Sequence, residues 1–350
     1  MGTEGEWHND GSLSTIADNR MWKEFFDSKK GTYPAGKVRY CRRILHDKDS
    51  TEAIREISRG EHVFSIPKKT QIGKPNTNKK RSLYAFNEVE TMALRLVAYN
   101  MHFYDNIFSR NLFSFRNGYG LREAMSALRK SPGIGKMYGY KMDIHDYFNT
   151  VDVEILLDDL DRTMEDKPLV SMYRNLLSGD EVMFEGEIIK EKKGVMAGIP
   201  VAPFLSNFYL REMDSYFSEK DCYYYRYADD ILLMAKTDEE AKKLHDELLS
   251  IIESKGLTIN PEKEKHFVPG DVIEFLGCTI VEKGNTVIVE MNYKPPAPKE
   301  KKARAPGSSR TPRKRKASGS SGHPKRKREC GHRKKKLKKR AMLEAQNRSE

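Results

Sequence analysis

The chain has 350 residues, with 63 Lys/Arg against 51 Asp/Glu, a formal charge of +12 and a pI near 9.3. That length accommodates one or two domains with a real core, and the positive excess points to a polyanionic partner, because Lys/Arg gain affinity by releasing counterions from phosphate backbones. Four scattered cysteines (Cys41, Cys222, Cys278, Cys330) argue against a zinc site or a disulfide framework, and no apolar run approaches the ~18 residues of a membrane span, so a soluble, cytoplasmic protein without a membrane partner is expected.

The charge is unevenly placed. Residues 299–340 hold twenty Lys/Arg against Glu300 and Glu329, a net of +18; residues 341–350 add −1, which leaves −5 on the first 298 residues. The body is slightly acidic and the tail supplies the positive field.

In chain order, residues 1–20 are polar and aperiodic and are expected to be mobile. "IPKKTQIGKPNTNKKRSLYAF" reads as a basic hairpin or loop over 67–81, its β-prone ends separated by Gly73, Pro75 and two Asn. Val89, Met92, Ala93, Leu96 and Val97 set a helical period over 86–105, and Gly118-Tyr119-Gly120 turns into another helix. "MYGYKMDI" alternates into a strand ending at Asp143, with a helix from about Val153.

"GVMAGIPVAPFLSNFYLREMDSYF" opens on Gly and Pro and becomes a helix, and "YYYRYADDILLMA" reads as two strands meeting at a tight turn on the aspartates. Thr237 or Asp238 caps a helix that Gly256 stops, and strand-like runs at 257–259, 272–281 and 286–291 finish the body. This order predicts an α+β fold, a mixed sheet with helices on one face. From Tyr293 the chain turns Pro/Ser/Gly/Lys-rich, as an unpacked linker does, before a last basic stretch rich in helix formers.

A strand ending in one Asp, beside a hairpin whose turn presents Asp-Asp, brings three carboxylates from separate segments to one sheet edge. Asp143, Asp229 and Asp230 have that arrangement. It suits phosphoryl transfer from a nucleoside triphosphate, which uses two Mg²⁺ ions ~3.5–4 Å apart, bridged by carboxylates. Turn chemistry alone also favours Asp in hairpins, so the pair by itself is ambiguous. Asp146 and Asp152 compete with Asp143, but a ligand at the end of a β-run fits the template best, and Asp146 reads as a turn residue.

Five segments in order, "YKMDIHDYFNTVD" (140–152), "GVMAGIPVAPFLSNFYL" (194–210), "YRYADDILLMA" (225–235), "GLTINPEK" (256–263) and "FLGC" (275–278), resemble the polymerase motifs of bacterial reverse transcriptases. The resemblance covers roughly residues 60–290 and is closest in kind to the stand-alone enzymes related to those of group II introns and retrons, many of which act in antiphage defence. It implies a right-hand polymerase with fingers over 21–130 and a palm over 131–292, of which about 153–193 returns to the fingers. Residues 293–350 would be a basic tail, with at most a rudimentary thumb.

The resemblance further implies that Asp143, Asp229 and Asp230 bind two Mg²⁺ ions, for which Mn²⁺ can substitute. Lys263, with Lys265 as rival, matches the lysine that protonates departing pyrophosphate. Lys80 and Arg81 match the basic residues that grip the triphosphate, and Phe148 matches the bulky side chain that packs under the incoming sugar and excludes a 2′-hydroxyl. Ala197-Gly198 stands where many relatives carry Gln-Gly, so a polar contact to nucleotide or template is missing. Arg116 resembles a position near template or nucleotide, and Gly277 lies in the counterpart of the primer-grip turn.

In the tail, Lys314, Arg315, Lys325, Arg326, Lys334 and Lys335 would track a phosphate backbone; "PRKRK" and "PKRKR" also resemble a bipartite nuclear address, relevant in a eukaryotic host. The expected activity is RNA-directed DNA synthesis on an associated, structured non-coding RNA, consuming deoxynucleoside triphosphates and yielding DNA. The alternatives are RNA-templated or untemplated nucleotide polymerisation, and an RNA-binding scaffold with an inactive palm.

Overall fold

In a computed structural model the residues described are 9–73 and 80–292. All six basic tail candidates, Lys314 to Lys335, lie outside the described residues.

The first lobe begins with a 3-10 turn at Leu13–Ala17, followed by α1 (Asn19–Ser28), α2 (Ala35–Leu45) and α3 (Lys48–Arg59). Strands β1 (Lys68–Gly73) and β2 (Lys80–Ala85) then pair antiparallel, before α4 (Glu88–Asn100) and α5 (Leu121–Arg129). Residues 9–20 differ from the mobile segment expected. Leu13 and Ile16 are buried in the core, the Leu13 N–H donates to Asp166 Oδ2 at 2.6 Å, and Trp22 Nε1 donates to the Ile16 carbonyl at 2.7 Å. Two apolar residues three apart suffice to dock a single turn, a period too short to stand out in a polar stretch.

The chain continues through β3 (Tyr138–Asp143), α6 (Tyr147–Thr150), α7 (Val153–Thr163), α8 (Lys167–Leu177), β4 (Glu181–Phe184) and β5 (Glu187–Lys190). β4 runs parallel to β1 and antiparallel to β5, giving a sheet of order β2-β1-β4-β5. Then come α9 (Ala202–Tyr209), α10 (Arg211–Ser218), β6 (Tyr223–Tyr227), β7 (Asp230–Ala235), α11 (Asp238–Ser254) and β8 (Lys265–Phe267). Their sheet, of order β6-β7-β3-β8, is antiparallel throughout. The mixed sheet expected for this region is therefore found in the first lobe instead.

Both faces of the second sheet are covered, where helices on one face were expected. Ile231 and Leu233 of β7 join one apolar cluster with α9 and α10, while Leu232 and Met234 join another. That second cluster includes Ala124, Met125 and Leu128 of α5 and a three-stranded sheet, β9 (Ile273–Phe275), β10 (Cys278–Lys283) and β11 (Thr286–Met291). Successive strand side chains point to opposite faces, so a strand covered on both sides must be apolar at every position, and "ILLMA" is. Gly139 on β3 is required by the close approach of β7, since a Cβ there would lie 2.1 Å from the Leu233 carbonyl oxygen.

The run 272–281 is broken at Leu276-Gly277, which have φ of 52° and 69° and join β9 to β10. Two consecutive residues with positive φ in a two-residue loop make a primed hairpin turn, so Gly277 serves turn geometry. Nothing lies within 4 Å of the Cβ it lacks. Thr237 caps α11, its hydroxyl accepting the Glu240 N–H at 3.2 Å. Among the described residues no helix is long and apolar enough to cross a membrane.

Candidate active site

The β3–β7 ladder sets Asp143 opposite Asp230, and the β6–β7 ladder sets Tyr227 opposite Asp230, so Ala228-Asp229 forms the two-residue turn of the hairpin. The Asp229 carbonyl accepts the Ile144 N–H at 3.0 Å, and the Asp143 carbonyl accepts the Asn260 N–H at 2.7 Å. The register alone thus brings the three carboxylates to one sheet edge. Asp152 is elsewhere engaged, capping α7 by accepting the Glu154 and Ile155 N–H groups, and Asp146 sits in a left-handed turn (φ 44°).

The electrostatics express crowding. Burial, and then the charge of Asp143, raises the Asp229 carboxyl above its usual range. Burial, and then the charge of Asp229, pushes Asp230 up to about 6. Lys263 answers part of this charge, its Nζ lying 2.6 Å from Asp143 Oδ2. Lys265 instead sits over the Phe267 ring at 5.0 Å. Among the described residues no group of three acidic, imidazole or thiol side chains is drawn tightly enough to hold an ion as it stands. The donor set nevertheless fits a divalent cation: hard carboxylate oxygens whose mutual repulsion and burial a cation would relieve.

The turn is held from beneath by residues the sequence reading did not single out. Ala228 adopts φ 57°, a conformation that non-glycine residues rarely occupy. Its N–H donates to Ser114 Oγ at 2.8 Å, and its carbonyl accepts from Arg226 Nη1 at 3.1 Å. Arg226 is fully buried and pairs with Asp214, Nε to Oδ1 at 2.7 Å and Nη2 to Oδ2 at 2.5 Å. Tyr224 donates to Asp214 Oδ1 at 2.8 Å, and Asn207 Nδ2 donates to the Ser114 carbonyl at 2.8 Å. A charge inside the aromatic strand "YYYRY" was the available signal.

The other candidates divide into two groups. Phe148 is half-buried on α6, with ring centroids 6.0 Å from Tyr147 and 6.1 Å from Phe115, and its carbonyl accepts the Val195 N–H at 2.8 Å. The Ala197 carbonyl accepts the Tyr84 N–H of β2 at 2.8 Å, and Gly198 (φ 105°) allows close contact, a Cβ there lying 3.0 Å from the Tyr84 carbonyl oxygen. Lys80 and Arg81 are exposed on β2, and the charge of Arg81 is felt at Asp229. Of these residues Arg81 is the one whose charge reaches the aspartates.

Arg116 does not behave as expected of a nucleic-acid contact. Its Nη1 donates to the Ser109 and Leu112 carbonyls, at 2.7 and 3.0 Å, and its Nη2 to the Asp105 carbonyl at 3.0 Å. The guanidinium also lies 3.9 Å from the Tyr119 ring centroid. With those donors spent on backbone, Arg116 braces the 105–119 loop.

A family profile described as reverse transcriptase (RNA-dependent DNA polymerase) matches residues 66–280, more than half of the chain. The retron Ec86 reverse transcriptase of Escherichia coli is 39% identical over 70 residues, 19% of this chain and 22% of that protein. Apo telomerase from Candida tropicalis superposes with a TM-score of 0.50 at 13% identity, over 65% of this chain and 48% of the telomerase. Telomerase from Candida albicans, solved with a fragment of telomeric RNA, gives 0.48 at 14% identity, over 77% and 51%. The chain therefore spans about half the length of these solved structures, or less than a quarter of the retron enzyme's. With its right-hand polymerase fold and matching profile, the chain belongs to the reverse transcriptase (RNA-dependent DNA polymerase) family.

Proposed function

We propose that this protein is an RNA-directed DNA polymerase that extends a primer along an associated, structured RNA, consuming deoxynucleoside triphosphates. The observation that carries this reading is the register of β3, β6 and β7, which aligns Asp143 with the Asp229-Asp230 turn. Two Mg²⁺ ions, or Mn²⁺ in their stead, bound by these aspartates would supply a lowered pKa at the primer hydroxyl and charge neutralisation at the leaving pyrophosphate.

The chain's own residues do the rest. Lys80 and Arg81 hold the triphosphate, a task suited to the guanidinium's forked donors. Phe148 lies under the sugar and excludes a 2′-hydroxyl. Lys263, whose ammonium sits 2.6 Å from Asp143 Oδ2, gives a proton to the departing pyrophosphate. The basic tail, including Lys314, Arg315, Lys325, Arg326, Lys334 and Lys335, tethers the RNA by its backbone. The biological reading is antiphage defence in the bacterial cytoplasm, carried over from the stand-alone enzymes the motifs resemble.

Primer extension on RNA with deoxy- and ribonucleotides in parallel tests the chemistry. Deoxynucleotide incorporation that becomes permissive in Phe148→Val supports it; preferential ribonucleotide incorporation by wild type overturns the DNA product. No incorporation by wild type loaded with its own RNA and Mg²⁺ favours the inert scaffold. Truncation after Asn292 should weaken RNA binding and flatten its salt dependence without abolishing synthesis on a short primed template.

A further inference from the structure

Phe115 combines three properties. Its backbone is left-handed, φ 55°, a conformation that bulky side chains avoid and that persists only where the surroundings over-determine it. Its side chain is 52% exposed. Its ring centroid lies 6.1 Å from that of Phe148 and 6.5 Å from that of Tyr227, the residue opening the catalytic turn.

The flanking residues hold it there. Ser114 is buried and bonded to Ala228 and Asn207, and Arg116 is bonded to three carbonyls. The two residues on either side thus fix a strained loop that presents an exposed aromatic ring. Burial cannot be the reason for Phe115.

Phe115 also lines a cleft of about 480 Å³, together with Lys29, Tyr99, His102, Asn117 and Phe204. That volume falls in the range of roughly 300–1,000 Å³ typical of small-ligand sites. Lys29 Nζ lies 6.0 Å from the Tyr99 ring centroid. His102 commits Nδ1 to the Tyr99 carbonyl at 2.5 Å, which leaves Nε2 as the ring nitrogen open to a ligand. The one carboxylate of the lining, Asp105, accepts the Asn117 N–H at 3.1 Å. Aromatic faces, an amide, an imidazole and one ammonium suit a nucleobase with its phosphate, and a triphosphate would require the cations beside Asp229 instead.

We infer that Phe115 is a stacking platform for a base of the copied single strand, and that the adjoining cleft receives the next unpaired nucleotide of that strand. The inference rests on the polymerase reading and adds to it a site for the template. Base-on-aromatic stacking is sequence-tolerant, because every base has a π-face. A platform of this kind fits an enzyme that must accept each base in turn. Rigid presentation avoids the ordering cost of a mobile ring.

The test uses the full chain with a primed RNA carrying 2-aminopurine at the templating position or at one of the next two unpaired positions. Wild type should quench the fluorophore at one or more of these sites. Phe115→Gly should lose that quenching and bind the template overhang about tenfold to a hundredfold more weakly, by the ~1–3 kcal/mol of a base–aromatic stack. Phe115→Trp should restore both. Because glycine accepts positive φ without strain, Phe115→Gly should melt no lower than wild type, whereas a structural phenylalanine would leave it less stable.

Unchanged quenching and overhang affinity in Phe115→Gly would overturn the inference, as would a lowered melting temperature that accounts for the whole loss. The binding arm needs no turnover. Absence of nucleotide incorporation by wild type would therefore count against the polymerase reading alone.

Discussion

The Ala228-Asp229 turn and the β1–β2 hairpin are built in opposite ways. Ala228 is held at its N–H by buried Ser114 and at its carbonyl by Arg226, which is itself fully buried in a pair with Asp214. The hairpin presents Lys80 and Arg81 to solvent, and the tie from its second strand to the 194–198 loop is the Tyr84–Ala197 backbone bond. Carboxylates that share cations tolerate little displacement, because misplacement by an ångström costs catalysis heavily. A cationic grip on a triphosphate acts over a longer range and works from an exposed ribbon.

Five variants would break or sharpen that contrast. Arg226→Met should have the largest effect, leaving Asp214 buried and unpaired at a cost of about 3–5 kcal/mol, read as a lowered denaturation midpoint with synthesis lost. The double variant Arg226→Met, Asp214→Leu should recover stability without recovering activity; recovery of both would mean that the pair fills space and does not aim the turn. Arg81→Ala should raise KM for the nucleotide about tenfold while changing stability by less than about 0.5 kcal/mol, as exposed sites do. Equal loss of stability would contradict the ribbon picture.

Ser114→Ala should be milder than Arg226→Met, about 1–2 kcal/mol for an unsatisfied buried donor, with a raised Mg²⁺ requirement in synthesis assays. The smallest effect concerns His62, far from the turn. The hydrogen bond that Glu90 Oε1 accepts from the ring, at 3.1 Å, and then the one to Glu56 raise its pKa above 6.5 against the opposing effect of burial. A raised folded-state pKa gives stability that is complete below the unfolded value and is lost as pH rises through the folded one. Denaturation midpoints should therefore fall modestly as pH is raised from 6.5, and His62→Gln should flatten that dependence.

Much of the second lobe was legible because its signals are local. Asp143 closes an alternating run, Thr237 caps a helix, and Asp229-Asp230 sits between two β-prone halves. The first lobe was less so. The docking of the Leu13–Ala17 turn draws on partners distant in sequence, as the Leu13–Asp166 bond illustrates. Strand β4 takes its place beside β1 only through tertiary pairing, at Lys68 and Met183, and carries β5 with it.

The site shows the same division. Motif spacing located the carboxylates, but the roles of Arg116 and Arg226 were invisible, since a lone arginine reads alike whether it meets phosphate, backbone carbonyls or a buried aspartate. Phe115 was hidden for a related reason. No composition rule distinguishes an exposed, strained aromatic from a core one.

The most direct measurement is to sequence the product that wild type and Asp229→Asn make on a primed RNA, with all eight nucleotides and Mg²⁺ present. The account predicts DNA complementary to the RNA from wild type and none from Asp229→Asn, with RNA binding equal in the two. Complementary RNA as the product, or undiminished DNA from Asp229→Asn, would contradict it.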